Sequence, residues 1–408
     1  MSHAPTEQQQ PILRIPGMRA LLGVSLLGFA GYALLLPTAP LWATRGGVDE
    51  GGAGLVNAVL MLATVAFQTM VPWALRRWGW RTTLVAGVLL LGVPSLGLLL
   101  TDQLAGILAV SAVRGAGFAI VTVCGASAIA ELVDASRRGR AIGVYGLAVA
   151  VPQLMLVPSA AWIAESADFR VVFVLGALPA LAVPFAAALG RRLDVVARQD
   201  AARDAAAEPR QARGRVLLAL VLPSLVLLAV TTPGGALLTF APQFRHGAAV
   251  AVLGLLGFTA AAALSRWLVG GPADRFGPRR FVPPLLVLCA GGLALCAWSL
   301  SDGGPGAAVL VAGMTVVGIA YGSLQNLTLV AAFAAVPDRD RSVASAVWNI
   351  GFDAGTGLGS LVVGFVAAGT SFSAGLLTTA ALCVVVAVLA LVPAQPPARV
   401  STGTMRRP

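Results

Sequence analysis

Long apolar runs separated by short polar breaks fill the chain from residue 19 onward. Twelve such runs can be read, at approximately 19–42, 51–75, 82–100, 104–130, 141–163, 169–189, 216–240, 247–269, 281–300, 306–335, 342–369 and 372–393. A helix rises 1.5 Å per residue, so runs of this length cross a hydrocarbon core of about 30 Å. The pattern predicts an all-α membrane protein with twelve transmembrane helices. The longest hydrophilic break, Gly190–Arg215, mixes arginines with acids on an alanine-rich background and divides the runs six and six. The predicted domains are therefore residues 1–190, a linker at 191–215 that is partly helical on the membrane surface, and residues 216–408.

Composition supports lipid as the solvent. The chain is 58% hydrophobic and 11% charged, with a mean hydropathy of +0.86, where soluble domains carry about 25% charged residues. The formal charge of +11 comes from arginine alone, because the chain has no lysine. Nucleic-acid binding needs such charge gathered on one face, and here it is dealt out in small groups between apolar runs. Those groups orient the chain. With a cytoplasmic N-terminus, the inner loops and tails collect roughly 23 arginines against 3 outside, the asymmetry of the positive-inside rule. The prediction is a multi-pass protein of the cell (plasma) membrane with both termini cytoplasmic. The N-terminal segment lacks the pattern of a cleaved signal, so the first run is read as a retained helix. Cys124, Cys289, Cys296 and Cys383 fall inside apolar runs and read as packing residues rather than disulfide or metal ligands. His3 and His246 lie outside the runs and suggest no ligand pair. No metal, cofactor or nucleic-acid partner is expected. Neither a phosphate-binding loop nor a nucleophile motif occurs, so an enzyme is not expected.

The halves repeat at an offset of about 200 residues. Arg138-Gly139-Arg140-Ala141 before the fifth run matches Arg339-Asp340-Arg341-Ser342 before the eleventh, and Gly79 matches Gly277. The break after the eighth run reads RWLVGGPADRFGPRR over Arg266–Arg280, a short charged turn at the membrane surface. Its spacing, G-x-x-A-D-R-F-G-x-R-R, resembles the signature loop of the major facilitator superfamily of secondary transporters. The resemblance extends over the whole chain and implies two pseudo-symmetric six-helix bundles. It also implies a gating role for Gly270, Asp274, Arg275, Gly277 and Arg279, with Asp274 facing the start of the fifth helix near Arg140. The first copy of the loop, Pro72–Arg81, keeps Gly79 and Arg81 but carries Arg76 where the family has an aspartate facing the start of the eleventh helix. An arginine does not suit a helix N-terminus. Arg76 is therefore expected to pair with Asp338 or Asp340, or else to serve only as a positive-inside residue.

Arg114, in V-R-G-A-G-F, resembles the family's fourth-helix arginine. An arginine inside a span costs about 2.5–3.5 kcal/mol on insertion scales, so it faces a cavity or a buried partner. It reads equally as a structural anchor and as a substrate or proton residue. The fifth helix keeps Pro152 and Pro158 but lacks most glycines of the proton-coupled exporters.

Asp353 is the only acid near the middle of a run, roughly 16 Å along the eleventh helix. Burial disfavours a charged carboxylate. Asp353 is thus the proton-coupling candidate, against the reading of a buried structural partner. In the family, helices one, four, seven and ten line the cavity. Tyr32, Arg114, Tyr321, Gln325 and Asn326 are the implied cavity residues, with Gln68 and Asn349 from flanking helices, and helix-to-helix hydrogen bonding is the competing use of each amide. The expectation is a monomeric secondary transporter of a small molecule working by alternating access, most simply a proton-coupled bacterial efflux permease. The alternatives are an importer or facilitator of a sugar, amino acid or organic anion, and a non-transporting membrane sensor.

Overall fold

A computed structural model describes residues 11–134, 137–201, 213–244, 247–337 and 340–391. Every regular element among them is helical, and twelve helices are long and apolar enough to cross a membrane. The first half of the chain holds α1 (Met18–Arg45), α2 (Glu50–Gln68), α3 (Val71–Gly92), α4 (Leu104–Leu132), α5 (Arg138–Ser166), α6 (Phe169–Leu175) and α7 (Val183–Ala201). The second half holds α8 (Arg213–Phe240), α9 (Ala248–Leu268), α10 (Gly270–Phe276), α11 (Val282–Leu300), α12 (Ala307–Ala334), α13 (Arg341–Gly369) and α14 (Phe372–Leu391). A 3-10 turn, Leu178–Ala182, joins α6 to α7 within a single span.

Three boundaries differ from the apolar pattern. The helix α2 ends at Gln68 rather than near residue 75, because a new helix starts at Val71 with Pro72 in its first turn, where the missing proline N–H costs nothing. The signature stretch is not a bare turn: Gly270–Phe276 is helical and Pro278–Arg280 forms a 3-10 turn. The sixth span continues as one helix to Ala201, so the start of the expected linker is a helical extension, and residues 202–212 lie outside the described residues.

The internal repeat is visible in the backbone. Gly79 interrupts α3 with φ 76°, and Gly277 ends α10 with φ 81°. In each half a short surface helix thus precedes the next span through a left-handed residue, and only glycine takes that conformation without a Cβ penalty.

Without a hydrophobic drive between helices in lipid, close packing rests on small residues. A Cβ on Gly318 or Gly322 of α12 would overlap the carbonyls of Phe258 and Ala262 in α9. A Cβ on Gly359 of α13 would overlap the carbonyl of Thr232 in α8. Large exposed side chains such as Leu62, Met155, Leu181 and Trp267 form the outer surface, as expected of helices solvated by lipid tails. Gly359→Val should therefore lower stability by about 1–3 kcal/mol through overpacking. Thermal unfolding of detergent-purified protein should show a clear drop in Tm, with a smaller one for Gly359→Ala.

One face of the helix array carries Arg76, Arg77, Arg81, Arg140, Arg275, Arg279, Arg280 and Arg341, all exposed. The opposite face carries Arg45, which lies over the Phe169 ring and 3.9 Å from Glu165. Contacts between the two halves gather toward this arginine-poor face. Gly54 of α2 sits against the backbone of Ser360 and Gly364 in α13, Gly51 lies beside the Phe365 ring, and Gly357 faces the Met61 side chain. The Asn57 amide adds a polar tie by donating to the Leu36 carbonyl at 2.8 Å and to Thr239 Oγ1 of α8 at 2.9 Å. Leu36 has that carbonyl free because Pro40, one turn on, has no N–H to give it.

Toward the arginine-rich face the covering thins. Buried positions in α5 concentrate between Pro152 and Ala164, and those in α13 between Asp353 and Gly364. The preceding turns of both helices are half-buried or exposed apart from Ala141 and Ala344, among the residues whose burial is described. Gly143 and Gly146 have open space where a Cβ would stand. The halves meet on the arginine-poor face and part on the other.

Candidate functional site

At the level where the halves separate, polar side chains from six helices converge. Gln68, at the last turn of α2, donates its amide N–H to Asp353 Oδ2 of α13 at 2.6 Å. Both residues are buried, at 6% and 5% exposure, so this charge-assisted bond is shielded from water. It joins the two halves of the chain across a separation of 285 residues. The Gln68 carbonyl oxygen is also buried and has no hydrogen-bond partner among the described residues. Tyr32 of α1 lies within electrostatic reach of Asp353, Tyr321 and Arg114. Its ring stacks on Phe118 of α4 with centroids 4.2 Å apart.

Arg114 is 1% exposed and solves its burial within the first half of the chain. Its Nε donates to the Leu91 carbonyl at 3.3 Å and a terminal nitrogen to the Gly31 carbonyl at 3.2 Å. Leu91 stands where α3 gives way to a 3-10 segment, Val93–Leu99, a switch that releases helical acceptors. The arginine thus ties α4 to α1 and α3 beside Tyr32.

On the other side, Tyr321 of α12 lies within electrostatic reach of the Gln325 side chain one turn on. The Gln325 amide nitrogen is buried with no partner among the described residues. Tyr321 packs near Phe258 and Phe352, and Trp348 stacks on Phe352 while donating to Thr328 Oγ1 at 3.1 Å. Arg266 near the end of α9 is solvent-accessible and within electrostatic reach of Tyr321.

Of the residues expected to line the cavity, Tyr32, Gln68, Arg114, Tyr321 and Gln325 come together with the proton-coupling candidate Asp353. Asn326 instead donates to the Arg266 carbonyl at 2.7 Å, tying α12 to α9, and Asn349 donates to Ser345 of its own helix at 2.8 Å. Phe118, Phe352, Trp348 and Arg266 join the cluster without having been singled out in the sequence. A signal was present for two of them, since Trp348 and Phe352 share the stretch Trp348–Asp353 with the acid.

The residues expected to form the gate sit on the arginine-rich face. Gly270, Arg275, Gly277 and Arg279 belong to α10 and the turn after it, while the Asp274 side chain lies outside the described residues. Arg140 is exposed in the first turn of α5, and Asp340 immediately precedes α13. Arg76 lines a cleft with Asp194 and Arg198. Of its two expected partners, Asp338 is outside the described residues and Asp340 stands at the start of α13.

A sequence profile of the Major Facilitator Superfamily matches residues 21–302 and 227–407. The chain belongs to this superfamily. Its members named below are transporters rather than enzymes, and the twelve-helix arrangement is the superfamily's permease fold. The chain is 28% identical over 204 residues to a probable 4-methylmuconolactone transporter of Cupriavidus pinatubonensis, a match covering 45% of this chain and 44% of that protein. It thus spans less than half the length of that relative. Its fold is similar to a D-xylose-proton symporter, with TM-score 0.70 and 16% identity over 94% of this chain and 98% of the other. It is also similar to a peptide transporter of the POT type bound to alafosfalin, with TM-score 0.73 and 16% identity over 94% and 95% of the two chains. The protein is a multi-pass membrane protein of the superfamily type.

Proposed function

We propose that this transporter couples the uptake of a small, ring-containing organic acid or lactone to proton movement through Asp353. The observation that carries the reading is the buried Gln68–Asp353 bond, which places the one mid-span carboxylate at the junction of the two halves. A carboxylate held there stores a charge at a cost that protonation relieves. Taking up a proton therefore changes the strength of a contact that must rearrange as the halves rock. Phe352 and Trp348, both only half-buried, offer flat faces to a ring, and the accessible Arg266 and the Gln325 amide, which has no partner among the described residues, offer donors to its oxygens. Likeness to a methylmuconolactone transporter supports this class of substrate, and the glycine-poor fifth helix supports uptake over proton-driven export.

On this reading the arginine-rich face is cytoplasmic, the chain sits in the cell membrane with both termini inside, and the structure is the inward-open state of an alternating-access cycle. The residues of α10 and the turn after it, with Arg76, Arg140, Asp338 and Asp340, act at the inner gate, and one chain forms a complete transport unit. Export by proton antiport is the second reading, and the largely aromatic, charge-poor lining favours it.

Proteoliposomes given a panel of lactones, aromatic acids, sugars and hydrophobic cations, with and without an imposed pH gradient, separate the two. Gradient-driven accumulation of a lactone or aromatic acid from the acidic side supports uptake. Extrusion of hydrophobic cations against an opposing gradient supports export, and gradient-independent equilibration of every substrate contradicts both.

A further inference from the structure

A second cavity lies away from the central cluster, on the arginine-rich face, between the start of α3 and the end of α7. Its volume is about 470 Å³. Pro72, Leu75 and Trp80 supply an apolar wall, and Arg76 of α3 and Arg198 of α7 line the same cleft as exposed cations. The one carboxylate among the described residues of the wall, Asp194, is committed to the backbone. It accepts from the Trp80 N–H at 2.7 Å and the Arg81 N–H at 3.2 Å, where α3 resumes after the left-handed Gly79. Asp194 thereby caps the restarted helix and docks α7 against it, which sets Arg198 in the same cleft as Arg76.

The surroundings add charge of the same sign and mark the depth. Arg77, Arg81, Arg191 and Arg192 are exposed nearby in sequence on the same two helices. Trp73 and Trp78 are about half exposed and pack edge to face, with centroids 5.2 Å apart. Exposed tryptophans at a helix end mark the headgroup level of a bilayer. A cleft with an apolar wall and two arginines at that depth matches one ligand, an anionic headgroup attached to acyl chains. Arginine donors suit phosphate oxygens, and basic pockets between spans on the cytoplasmic side are where anionic lipids dock.

We infer that the cleft between α3 and α7 is a binding site for an anionic phospholipid, whose phosphate bridges Arg76 and Arg198 while its chains run along Pro72 and Leu75. The lipid links the surface helix that begins α3 to the extension that leads into the segment between the two halves. The site is separate from the substrate cluster, and its test does not depend on which molecule is transported.

The experiment is native mass spectrometry of the full-length protein in detergent, titrated with phosphatidylglycerol or phosphatidylcholine of the same chain length. The expected result is severalfold greater retention of phosphatidylglycerol. That preference should vanish in the Arg76→Gln/Arg198→Gln variant and persist in Arg76→Lys/Arg198→Lys, which keeps both charges. Arg279→Gln/Arg280→Gln, which removes equal charge from the other half of the same face, should leave it intact. Equal retention of the two lipids by the wild-type protein would overturn the proposal. So would an unchanged preference in the double glutamine variant, or an equal loss in the Arg279/Arg280 control. Excess inorganic phosphate should not release the lipid; if it does, the site is one for free anions.

Discussion

Asp353→Asn is expected to abolish gradient-driven accumulation of substrate while leaving downhill exchange close to wild type. Asparagine keeps the size of the side chain and an oxygen to accept from Gln68, so the bridge between α2 and α13 survives in neutral form. It even adds an N–H donor for the buried Gln68 oxygen, which has no partner among the described residues. What it removes is the ability to change charge. An imposed gradient of one pH unit is worth about 1.4 kcal/mol per proton, or a tenfold concentration ratio. In proteoliposomes the wild type should approach that ratio and Asp353→Asn should stay near unity, with counterflow exchange retained in both. An Asn variant that accumulates substrate as the wild type does would remove Asp353 from coupling and leave it a structural partner of Gln68.

Gly54→Val should stop transport by a different route. Gly54 lies where α2 crosses α13 on the arginine-poor face, and a Cβ there would overlap the Ser360 carbonyl and crowd the Gly364 backbone. Backbone cannot yield as a flexible side chain can, so valine must hold the two helices apart at that level. The contact lies between the halves rather than inside one, so the expected outcome is a displaced conformational equilibrium rather than a collapsed fold. This contrasts with Gly359→Val, whose clash lies within the second half. Spin labels at Ala167→Cys and Ala368→Cys, both exposed near the arginine-poor ends of α5 and α13, report the change. The four native cysteines are buried and do not compete for the label. The inter-label distance should lengthen in Gly54→Val and transport should fall to background. A wild-type distance with normal transport would show that α2 and α13 do not form the closed barrier.

The sequence made some of this architecture readable and hid the rest for physical reasons. Twelve apolar runs announced twelve spans because lipid tolerates few alternatives to an uninterrupted helix. Ends were less visible where apolar residues continue past a break, as at Gln68, whose following stretch is greasy enough to extend the run. Gly79 and Gly277 were matched by spacing, and both adopt the left-handed conformation that explains the match. Arg114 carried two readings in the sequence, and the bonds to Leu91 and Gly31 show how carbonyls alone can satisfy a buried guanidinium. The Gln68–Asp353 pairing could not be read, since it depends on how two six-helix units face each other. Asn57 was legible in principle: a lone amide in an apolar run, near a proline-freed carbonyl. Its partners Leu36 and Thr239 still had to be supplied by the packing.

The central claim is that substrate and proton cross together through a site containing Asp353. It is tested most directly by following external pH when substrate is added to sealed, weakly buffered proteoliposomes containing the full chain. The account predicts substrate-dependent alkalinisation outside as protons enter with substrate, and no such signal from Asp353→Asn. Substrate entry without any proton flux in the wild-type protein, or an undiminished flux in Asp353→Asn, would contradict it.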